Sequence, residues 1–475
     1  MKLRDLAGID SDSEVTGFAI DHRKVTRGSI FGAFKGALFN GEDFIPQAVE
    51  RGAVAVVAQP ETGVPQVPLI GHPEPRRRFA ELAARFFAPY PETVVAVTGT
   101  NGKTSTVEMT RQLWRMAGHR SASIGTLGVT TSDDQVKTGL TTPDIVTFLN
   151  NMAGLKRMGI SHVAYEASSH GLDQHRAEGV PLKAAAFTNF SRDHLDYHPS
   201  MEAYFEAKMR LFDELLPQDG TAIVWTDDAK SAEVIERVRS RGIALMTVGR
   251  AGETIRLIEQ SPTALGQTLV LQHGEGTYRL ALPLIGAYQA ANVLVAGALA
   301  MASGSSFEQV FSGMQRLAPV RGRLERAVIS RAGAPVYVDY AHTPDALEAA
   351  IAALRPHVSN RLIIVFGAGG DRDQGKRPEM GSVAARLSDL VIVTDDNPRG
   401  EEAGKIRADI LVGAPDAIEV AGRREAIAEA VRIARDGDII LLAGKGHETG
   451  QIIGAGKDQR VLPFDDALVA REVAA

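Results

Sequence analysis

Short apolar runs alternate with amphipathic segments of helix length through the middle of the chain. The runs Thr93–Val97, His162–Glu166 and Ala184–Thr188 have the length and composition of buried strands. The segments Thr104–Ala117 and Ala203–Leu215 have helical periodicity. Because strands that alternate with helices form mostly parallel sheets, we predict an α/β fold for this region.

The same alternation starts again near Arg321-Gly322-Arg323. Four further apolar runs, each separated from the next by a helix-length segment, predict a second parallel sheet with helices on both faces. These runs are Val336–Asp339, Arg361–Phe366, Leu390–Thr394 and Ile439–Ala443.

The first part of the chain has a different pattern, with short strand-like runs such as Val54–Ala58 lying close to glycine or proline. The proline-rich stretch Pro60–Pro75 predicts a surface loop, and Arg76–Phe87 predicts a helix. Pro89–Pro91 interrupts the helical pattern and suggests a domain boundary. We therefore expect three domains, with boundaries at residues 1–90, 91–321 and 322–475.

Composition excludes several classes of protein. A chain of 475 residues is too long for a single core, which agrees with several domains. The net charge of −6 argues against a nucleic-acid-binding protein, and the absence of cysteine excludes disulfides and thiolate chemistry. Since no apolar run reaches the length of a signal peptide core at the N-terminus or of a membrane span, we expect a soluble cytoplasmic protein without membrane insertion.

The segment between the first central strand and its helix has the composition of a phosphate-binding loop. It reads Thr98-Gly99-Thr100-Asn101-Gly102-Lys103-Thr104-Ser105. Glycines allow backbone N–H groups to point at a phosphate, and the start of the helix adds partial positive charge. We expect Lys103 to meet the β- and γ-phosphates, and the Thr104 or Ser105 hydroxyl to meet Mg²⁺. The spacing is irregular, since Val97 stands where the usual pattern has glycine, and the alternative is a turn with only a structural role.

Polar side chains follow the other central strands. Glu166 ends one strand and could coordinate a hard cation, although a lone glutamate there is more often a surface residue. The segment Asn189–His198 is rich in polar groups where parallel sheets bind ligands, but His194 and His198 lack the partners of a structural zinc site. Local sequence alone indicates a solvated side chain for Lys208.

Four polar loops follow the strands predicted in the last part of the chain: Asp339–Asp345, Gly367–Asp373, Asp395–Arg399 and Gly444–Glu448. Any one of them could be a turn or a helix cap. Because the carboxyl ends of parallel strands share one edge of a sheet, four such loops together predict a ligand site on that rim.

Taken together and in order, these motifs resemble the Mur ligase family over nearly the whole chain, and Thr98–Ser105 looks like the shortened phosphate loop of that family. The resemblance implies three domains: an N-terminal α/β domain for the uridine nucleotide, a central domain with a mostly parallel sheet for ATP, and a Rossmann-like C-terminal domain for the incoming amino acid. It also implies a monomeric ligase of peptidoglycan precursor synthesis, which uses ATP to join an amino acid to a UDP-muramoyl dipeptide through an acyl phosphate.

The resemblance assigns roles to residues at matching positions. Implied catalytic residues are Lys103, Glu166, His194 and Lys208, and the implied Mg²⁺ ligands are Thr104, Glu166, His194 and Lys208 as a CO₂-derived carbamate. Implied ATP contacts are Gly99, Thr100, Asn101, Gly102, Lys103, Thr104, Ser105, Asn292, Arg323, Asp339 and His342. Implied contacts to the UDP-muramoyl dipeptide are Ile20, His22, Thr141, Thr142, Ser168, Gln174 and Arg176. Implied amino-acid contacts are Arg372, Asp396, Asn397, Arg399, Gly444 and Glu448.

The charged residues among the implied amino-acid contacts indicate which amino acid is added. Asp396–Arg399 resembles the motif of family members that add meso-2,6-diaminopimelate, whose second carboxylate Arg399 can bind bidentately. Asn397 can add a hydrogen bond, Arg372 can bind the near carboxylate, and Glu448 can accept from the distal ammonium. L-Lysine and L-ornithine lack that carboxylate and are the alternative substrates.

Three positions depart from the family pattern: His22 replaces a serine, Gln289 replaces an asparagine and Ala368 replaces a common cysteine. Because His22 stands in place of the serine, the usual serine contact to uracil is in doubt. Two other functions remain open at this point. One is a ligase of the same fold, such as a folylpolyglutamate or cyanophycin synthetase, and the other is a regulatory ATPase that forms no new bond.

Overall fold

The computed structural model describes residues 1–36, 39–64, 66–132, 134–136, 139–263 and 266–474. Contacts between residues divide the chain into two compact units. The first comprises Met1–Val248 and Val295–Val310, and the second comprises Gly249–Leu294 and Phe311–Ala475.

The first unit begins with a small parallel sheet in the order β1-β2-β3-β4. Its elements are α1 (Leu3–Ala7), β1 (Gly17–Ala19), β2 (Ser29–Gly32), α2 (Ile45–Glu50), β3 (Ala55–Ala58), β4 (Leu69–Gly71) and α3 (Pro75–Phe87), with 3₁₀ turns at His22–Lys24 and Gly41–Phe44. The loop predicted over Pro60–Pro75 is therefore partly wrong, because it contains β4; residue 65 of that stretch lies outside the described residues. The strand forms there because Ile70 is buried and pairs with Val57.

A larger sheet follows in the same unit. Its elements are β5 (Thr93–Thr98), α4 (Lys103–Met116), β6 (Ser121–Gly125), β7 (Gly128–Thr130), β8 (Gln135–Val136), α5 (Ile145–Arg157), β9 (His162–Glu166), α6 (Ser169–Asp173), β10 (Ala184–Phe187), α7 (Met201–Arg210), β11 (Thr221–Trp225), α8 (Ser231–Ser240) and β12 (Ala244–Gly249), with a π-helical turn at Leu211–Leu215.

The order β12-β11-β10-β5-β9-β6 is parallel throughout, and β7 and β8 add an antiparallel edge. This order puts β5 between β9 and β10, so the polar segments after all three strands meet at one edge. Fully buried aromatic side chains, among them Phe148, Tyr165 and Phe187, fill the core that holds the sheet in place.

The second unit contains an antiparallel meander and a doubly wound sheet. The chain forms β13 (Ile255–Thr263), β14 (Gly266–His273), β15 (Gly276–Leu282), α9 (Ala287–Ala302), α10 (Phe307–Met314), β16 (Glu325–Ile329), β17 (Pro335–Asp339), α11 (Pro344–Leu354), β18 (Leu362–Phe366), α12 (Lys376–Leu387), β19 (Leu390–Val393), α13 (Ala403–Leu411), β20 (Ile418–Glu419), α14 (Arg423–Ile433), β21 (Ile439–Ala443), β22 (Gly450–Ile453), β23 (Arg460–Pro463) and α15 (Asp466–Ala474), with 3₁₀ turns at Arg355–His357 and Gly456–Asp458.

The doubly wound sheet has the order β16-β17-β21-β18-β19-β20, parallel except for β16. Apolar side chains such as Leu347 and Met380 cover one face, and others such as Ile427 and Ala470 cover the other. The four predicted strands are therefore confirmed within one or two residues at each end, and their polar loops lie on one rim of the sheet. Across the described residues, no helix is both long and apolar enough to cross a membrane.

Candidate active site

The turn between β5 and α4 passes very close to the end of β10. Gly99 has a φ of +142°, and a Cβ atom there would lie 2.0 Å from Thr188 Oγ1. Only glycine can occupy this position without displacing the neighbouring strand end. The sharp turn brings the N-terminus of α4 to the edge where ligands bind in parallel sheets.

Side chains that follow β10 hold this turn in shape. The Asn189 side chain accepts a hydrogen bond from the Asn101 N–H at 2.8 Å and donates one to the Asn101 carbonyl at 3.1 Å. Thr188 Oγ1 also donates to the Asn101 carbonyl, at 2.7 Å, and the Thr100 N–H donates to the Asn189 carbonyl. Hydrogen bonds within the chain therefore fix the shape of this turn.

The Lys103 side chain folds back over the turn. Its Nζ atom donates to the carbonyls of Gly99 and Thr100, both at 2.8 Å. The two hydroxyl residues after it, Thr104 and Ser105, are buried in the first turn of α4. A positive charge and a helix N-terminus therefore coincide, as an anionic phosphate requires.

The Glu166 carboxylate lies directly behind the start of α4. Thr104 Oγ1 donates to Glu166 Oε2 at 3.0 Å, and the backbone and hydroxyl of Thr126 donate to the two carboxylate oxygens at 2.7 and 3.1 Å. A Cβ atom at Gly125 would lie 2.1 Å from Glu166 Oε1, so glycine makes room for this carboxylate. The surface position favoured by local sequence is wrong, because Glu166 is only 2% exposed.

Lys208 is a second lysine beside the same turn, and it is buried. Its side chain is 1% exposed, its Nζ atom donates to the Gly99 carbonyl at 2.8 Å, and it lies 4.3 Å from the centre of the Tyr204 ring. Burial, assisted by the charge of Lys103, lowers the pKa of the Lys208 amine well below its usual value. The solvated position that local sequence indicates is therefore wrong, because this face of α7 packs toward the turn.

His194 adopts the left-handed backbone region, with a φ of +54°, and its Nε2 atom lies 3.4 Å from Asp193 Oδ2. Burial and the nearby charges of Lys103, His170 and Lys208 lower the pKa of His194 to about 4, although Asp193 opposes this. At neutral pH the imidazole is uncharged and can act as a ligand through a ring nitrogen.

A hydrogen-bonded chain connects Glu166 to the residues expected to bind the dipeptide substrate. Thr142 Oγ1 donates to the Glu166 carbonyl at 2.7 Å and lies 2.9 Å from Ser168 Oγ. Arg176 donates to the Thr142 carbonyl at 3.1 Å and to Gln174 Oε1 at 2.6 Å. Thr141 joins the same network, because its hydroxyl lies 3.1 Å from that of Thr126.

Ile20 and His22 lie at the carboxyl end of β1 on the small sheet. Ile20 is 37% exposed, and the His22 ring stacks on Phe44 with 4.5 Å between the ring centres. Asp21 caps this turn through the Arg23 N–H. The histidine that departs from the family pattern therefore has an aromatic partner of its own.

In the second unit, Asp339 organises the rim after β17. Its two oxygens accept from the backbone N–H groups of Ala341 at 2.8 Å and Leu324 at 2.7 Å. Burial raises the pKa of this carboxyl group against the opposing charge of Arg323. The Arg323 guanidinium lies 4.6 Å from the centre of the Tyr340 ring, a typical cation–π distance.

The other expected ATP contacts of this unit are also in defined positions. Asn292 Nδ2 donates to Gln289 Oε1 at 3.1 Å, and both side chains are buried on α9. His342 Nδ1 lies 2.9 Å from the Tyr340 carbonyl. The glutamine at 289 thus supports the neighbouring asparagine instead of leaving a gap.

The loops after β19 and β21 meet through a fully buried lysine that the sequence did not single out. Lys445 Nζ donates to Asn397 Oδ1 at 3.0 Å and to Glu448 Oε2 at 2.9 Å. Asn397 Nδ2 also donates to Glu448 Oε2, at 2.8 Å. Nearby, Gly444 packs against Asp396 so tightly that a Cβ atom there would lie 2.6 Å from Asp396 Oδ2.

Arg399 is held in an unusual conformation on the same rim. It has a φ of +51°, and its guanidinium donates to the Gly370 carbonyl at 2.8 Å. Arg377 on α12 is fully buried and pairs with Glu401 in the loop after β19 and with Asp409 on α13. Arg372 is exposed on the loop after β18. Only three-dimensional contacts distinguish Arg377 and Lys445 from ordinary surface cations.

Comparison with known proteins identifies the relatives of this chain. The family described as Mur ligase family, catalytic domain, matches residues 14–87; the Mur ligase middle domain matches residues 97–300; and the Mur ligase glutamate ligase domain matches residues 322–446. A UDP-N-acetylmuramoyl-L-alanyl-D-glutamate–2,6-diaminopimelate ligase of Zymomonas mobilis is 57% identical over 98% of this chain and 95% of its own. The ligase of the same name from Bradyrhizobium diazoefficiens is 49% identical, with 98% and 97% covered.

Solved structures agree with these sequence matches. A structure of a 2,6-diaminopimelate ligase of the same name superposes with a TM-score of 0.73 at 32% identity, covering 100% of this chain and 98% of that one. A MurF ligase from Thermotoga maritima in complex with ADP has a TM-score of 0.64 at 20% identity, with 94% and 96% covered, which shows a shared fold.

Proposed function

The chain belongs to the Mur ligase family, and from that premise we propose that it joins meso-2,6-diaminopimelate to UDP-N-acetylmuramoyl-L-alanyl-D-glutamate at the expense of ATP. It is an acid–amino-acid ligase that forms a carbon–nitrogen bond. The product is a precursor of peptidoglycan, and the proposed location is the cytoplasm. The proposed domains are residues 1–90 for the uridine nucleotide, 91–321 for ATP and 322–475 for the amino acid.

One observation supports this function above all: the buried Glu166 carboxylate accepts the Thr104 hydroxyl directly behind a turn that carries Lys103. A turn with only a structural role does not require a buried carboxylate, a buried hydroxyl and a lysine at one helix N-terminus. ATP needs all three, since its terminal phosphates are anionic and are bound together with a divalent cation. This arrangement favours an ATP-dependent enzyme.

The oxygen donors fit Mg²⁺. Thr104 Oγ1 and Glu166 Oε2 lie 3.0 Å apart, and both are hard ligands of the kind this ion prefers. We assign Thr104, Glu166 and the neutral His194 as the residues that would hold it. When bound, the ion would offset negative charge on the phosphates.

The environment of Lys208 favours modification by CO₂. Only an uncharged amine attacks CO₂, and burial favours that form of Lys208. The amine nitrogen bonds to the carbon of CO₂, one C=O π bond of CO₂ opens, and the nitrogen releases a proton. The product is a carbamate whose single negative charge is shared by two oxygens. That product would offer carboxylate-like oxygens, which Mg²⁺ prefers, next to the turn that contains Gly99.

The rim of the second unit suits diaminopimelate better than lysine or ornithine. Arg399 offers a planar guanidinium for the distal carboxylate, Asn397 adds an amide, and Glu448 offers a carboxylate for the distal ammonium. The proposed partner of the near carboxylate is the exposed Arg372. Asp396 and Gly444 pack together beside these groups. A substrate without a second carboxylate would leave Arg399 uncompensated.

The chemistry follows from these positions. A free carboxylate is a poor electrophile, so the glutamate carboxylate of the dipeptide first attacks the γ-phosphorus of ATP, forming an acyl phosphate and releasing ADP. Lys103 offsets the charge that develops on the transferred group. The amine of diaminopimelate then attacks the carbonyl carbon, and inorganic phosphate leaves. Holding both reactants together replaces a bimolecular encounter, an effect worth up to about 7–11 kcal/mol.

The other ATP contacts we propose are the turn residues Gly99 to Ser105, with Asn292, Arg323, Asp339 and His342 from the second unit. The proposed contacts of the UDP-muramoyl dipeptide are Ile20, His22, Thr141, Thr142, Ser168, Gln174 and Arg176. The proposed partners are these small molecules alone, bound by a monomer.

A direct assay tests the function. Purified protein with ATP, Mg²⁺ and UDP-muramoyl-alanyl-glutamate is offered diaminopimelate, lysine and ornithine in parallel, and products are identified by mass. We expect the diaminopimelate adduct with stoichiometric ADP. An adduct with lysine or ornithine instead would overturn the assignment of the amino acid, and ADP release without any adduct would favour a regulatory ATPase.

A further inference from the structure

A cleft of about 250 Å³ opens at the carboxyl edge of the small N-terminal sheet. Its lining includes Phe34 and Lys35 after β2, Gln59 after β3 and Arg76 at the start of α3, and Asp173 and His175 close it from the other side. All of these residues belong to the first unit.

Arg76 is half-buried in this cleft without a carboxylate partner. Its guanidinium lies 4.9 Å from the centre of the Phe34 ring and donates to the Lys35 carbonyl at 3.1 Å, so both contacts are to neutral groups. No ion pair forms at Arg76 among the described residues, whereas the next two arginines of α3 pair with Glu74 or Glu81. A partly desolvated cation of this kind is costly unless an anion binds to it.

Arg176 is not among the residues that line this cleft. It donates to the Thr142 carbonyl and to Gln174 Oε1, and burial lowers its pKa against the opposing charge of Asp144. Burial is the main cause that lowers the pKa of Arg76, and the charge of Arg176 lowers it further. The Tyr197 phenol and Asp173 oppose this lowering of the pKa, and the effect of Tyr197 exceeds the repulsion from Arg176.

The acidic residues that line the cleft are engaged elsewhere. Asp173 accepts from the Tyr197 hydroxyl at 2.5 Å, and Glu42 accepts from Thr62 Oγ1 at 2.9 Å. Glu74 lies 3.6 Å from an Arg77 nitrogen. The exposed Lys35 adds another positive charge to the lining. The cleft thus presents cations that are available to a ligand.

We propose that Arg76 binds the diphosphate group of the UDP-linked substrate, with Lys35 at its margin. This inference rests on the proposed function and extends it to a residue outside the family positions discussed above. A diphosphate supplies several negative charges, and the Arg76 guanidinium can bind its oxygens bidentately. The Phe34 ring and the Lys35 carbonyl, both neutral, hold this guanidinium at the cleft.

Binding of UDP and uridine to the full-length protein, measured by calorimetry, tests this role. The Arg76→Gln variant is compared with Arg77→Gln, which removes the neighbouring, more exposed and ion-paired arginine of the same helix. We expect Arg76→Gln to weaken UDP at least about tenfold and to leave uridine unchanged, because only UDP has the diphosphate. Arg77→Gln is expected to bind both as the wild type does.

A second variant guards against a folding defect. Arg76→Lys keeps the charge but not the planar fork, so its affinity for UDP should lie between those of the wild type and Arg76→Gln, and the dependence on salt should weaken only in Arg76→Gln. Equal loss of UDP and uridine in both Arg76 variants, or unchanged UDP binding in Arg76→Gln, would overturn the role of Arg76 alone. A wild-type protein that binds ATP but neither UDP nor the UDP-linked substrate would overturn the proposed function as well.

Discussion

Lys208 Nζ lies 2.8 Å from the carbonyl oxygen of Gly99, inside a pocket where the lysine side chain is almost completely buried. A buried ammonium group is normally neutralised by a carboxylate, yet this one contacts a carbonyl and an aromatic face. The burial of the Lys208 amine is explained if this amine takes part in the reaction. Groups with strongly shifted pKa values often lie at active sites, where their reactivity offsets the cost of burying them.

Replacing Lys208 by methionine should therefore separate stability from activity. We expect the free energy of unfolding to stay unchanged or to rise by up to about 2 kcal/mol, because the variant no longer buries a polar amine that is costly to desolvate. Ligase activity should fall at least about a hundredfold. Urea denaturation and a phosphate-release assay measure the two effects. A variant that is strongly destabilised, or that keeps its activity, would contradict this role.

The same role predicts a dependence on CO₂. Wild-type protein that has been stripped of bicarbonate at mildly acidic pH should lose activity and regain it when bicarbonate is added. Lys208→Met should not respond to bicarbonate at all. If activity is indifferent to bicarbonate while mass spectrometry of the native protein finds no carbamate, Lys208 acts as an unmodified amine.

Glu166→Gln should impair catalysis more than folding. The amide keeps one acceptor oxygen, but its NH₂ group faces donors from Thr126 or Thr104, at a cost of about 1–3 kcal/mol. Loss of the negative charge should lower kcat by about two to three orders of magnitude and raise the Mg²⁺ concentration needed for half-maximal rate. Steady-state kinetics across a magnesium series provide the measurement. The Mg²⁺ requirement should not change in Glu236→Gln, which alters an exposed glutamate on α8.

Periodicity was enough to predict the two parallel sheets, because β5, β9 and β10 are buried on both faces and appear as continuous apolar runs. Periodicity did not predict β4, because this strand has only three residues and lies in a proline-rich stretch. Pairing with β3 stabilises it. Such short strands depend on a neighbour in space, which a local pattern does not contain.

The residues of the site also fall into two groups, those that local sequence can predict and those that it cannot. Lys103 and Thr104 could be predicted from the turn that precedes them, since loop and helix are adjacent in sequence. Lys208, Arg377 and Lys445 could not be recognised as buried from their own surroundings, because nothing in the local sequence distinguishes them from lysines and arginines that face solvent. Their burial results from long-range packing, and only the resemblance to a family singled out Lys208.

Arg399→Ala tests the choice of amino acid. The variant keeps the backbone position but loses the guanidinium, so kcat/KM for diaminopimelate should fall about a hundredfold or more, in line with the loss of a charge-assisted bidentate contact. The Kd of ATP should not change. Use of lysine should stay the same or improve slightly, because a repelling charge is gone. Unchanged steady-state kinetics with diaminopimelate would remove the basis of the assignment.

Lys445→Met tests whether a buried cation positions the same site. Without the ammonium, Asn397 loses one donor and the Glu448 carboxylate loses its charge partner, so both side chains should lose their fixed orientation. We expect KM for diaminopimelate to rise at least about tenfold, with KM for ATP unchanged. Lys405→Met, which alters an exposed lysine on α13, is the matched control. Equal changes in both KM values would indicate a general loss of structure in this unit.

The stability of the folded protein in acid should depend on His162, at the start of β9. The His162 ring is 7% exposed, stacks on His119 with 4.0 Å between the ring centres, and lies 2.8 Å from Ser161 Oγ. Burial, helped by the charge of His119, lowers its pKa from 6.5 to about 4, although Glu92 opposes this. The folded state therefore resists protonation that the unfolded chain accepts, so stability is present above pH 6.5 and is lost as the pH falls toward 4.

The free energy of unfolding should fall by about 1–3 kcal/mol between pH 7 and pH 4.5. This is the loss expected from the lowered pKa of His162 in the folded state. His162→Phe keeps an aromatic ring against Trp114 and His119 but cannot take up a proton, so its unfolding free energy should depend less steeply on pH over that range. The informative quantity is the difference between wild type and variant at each pH, since carboxylates that titrate in both proteins cancel. Parallel curves for the two proteins would mean that His162 is solvated when it is protonated and does not contribute to acid unfolding.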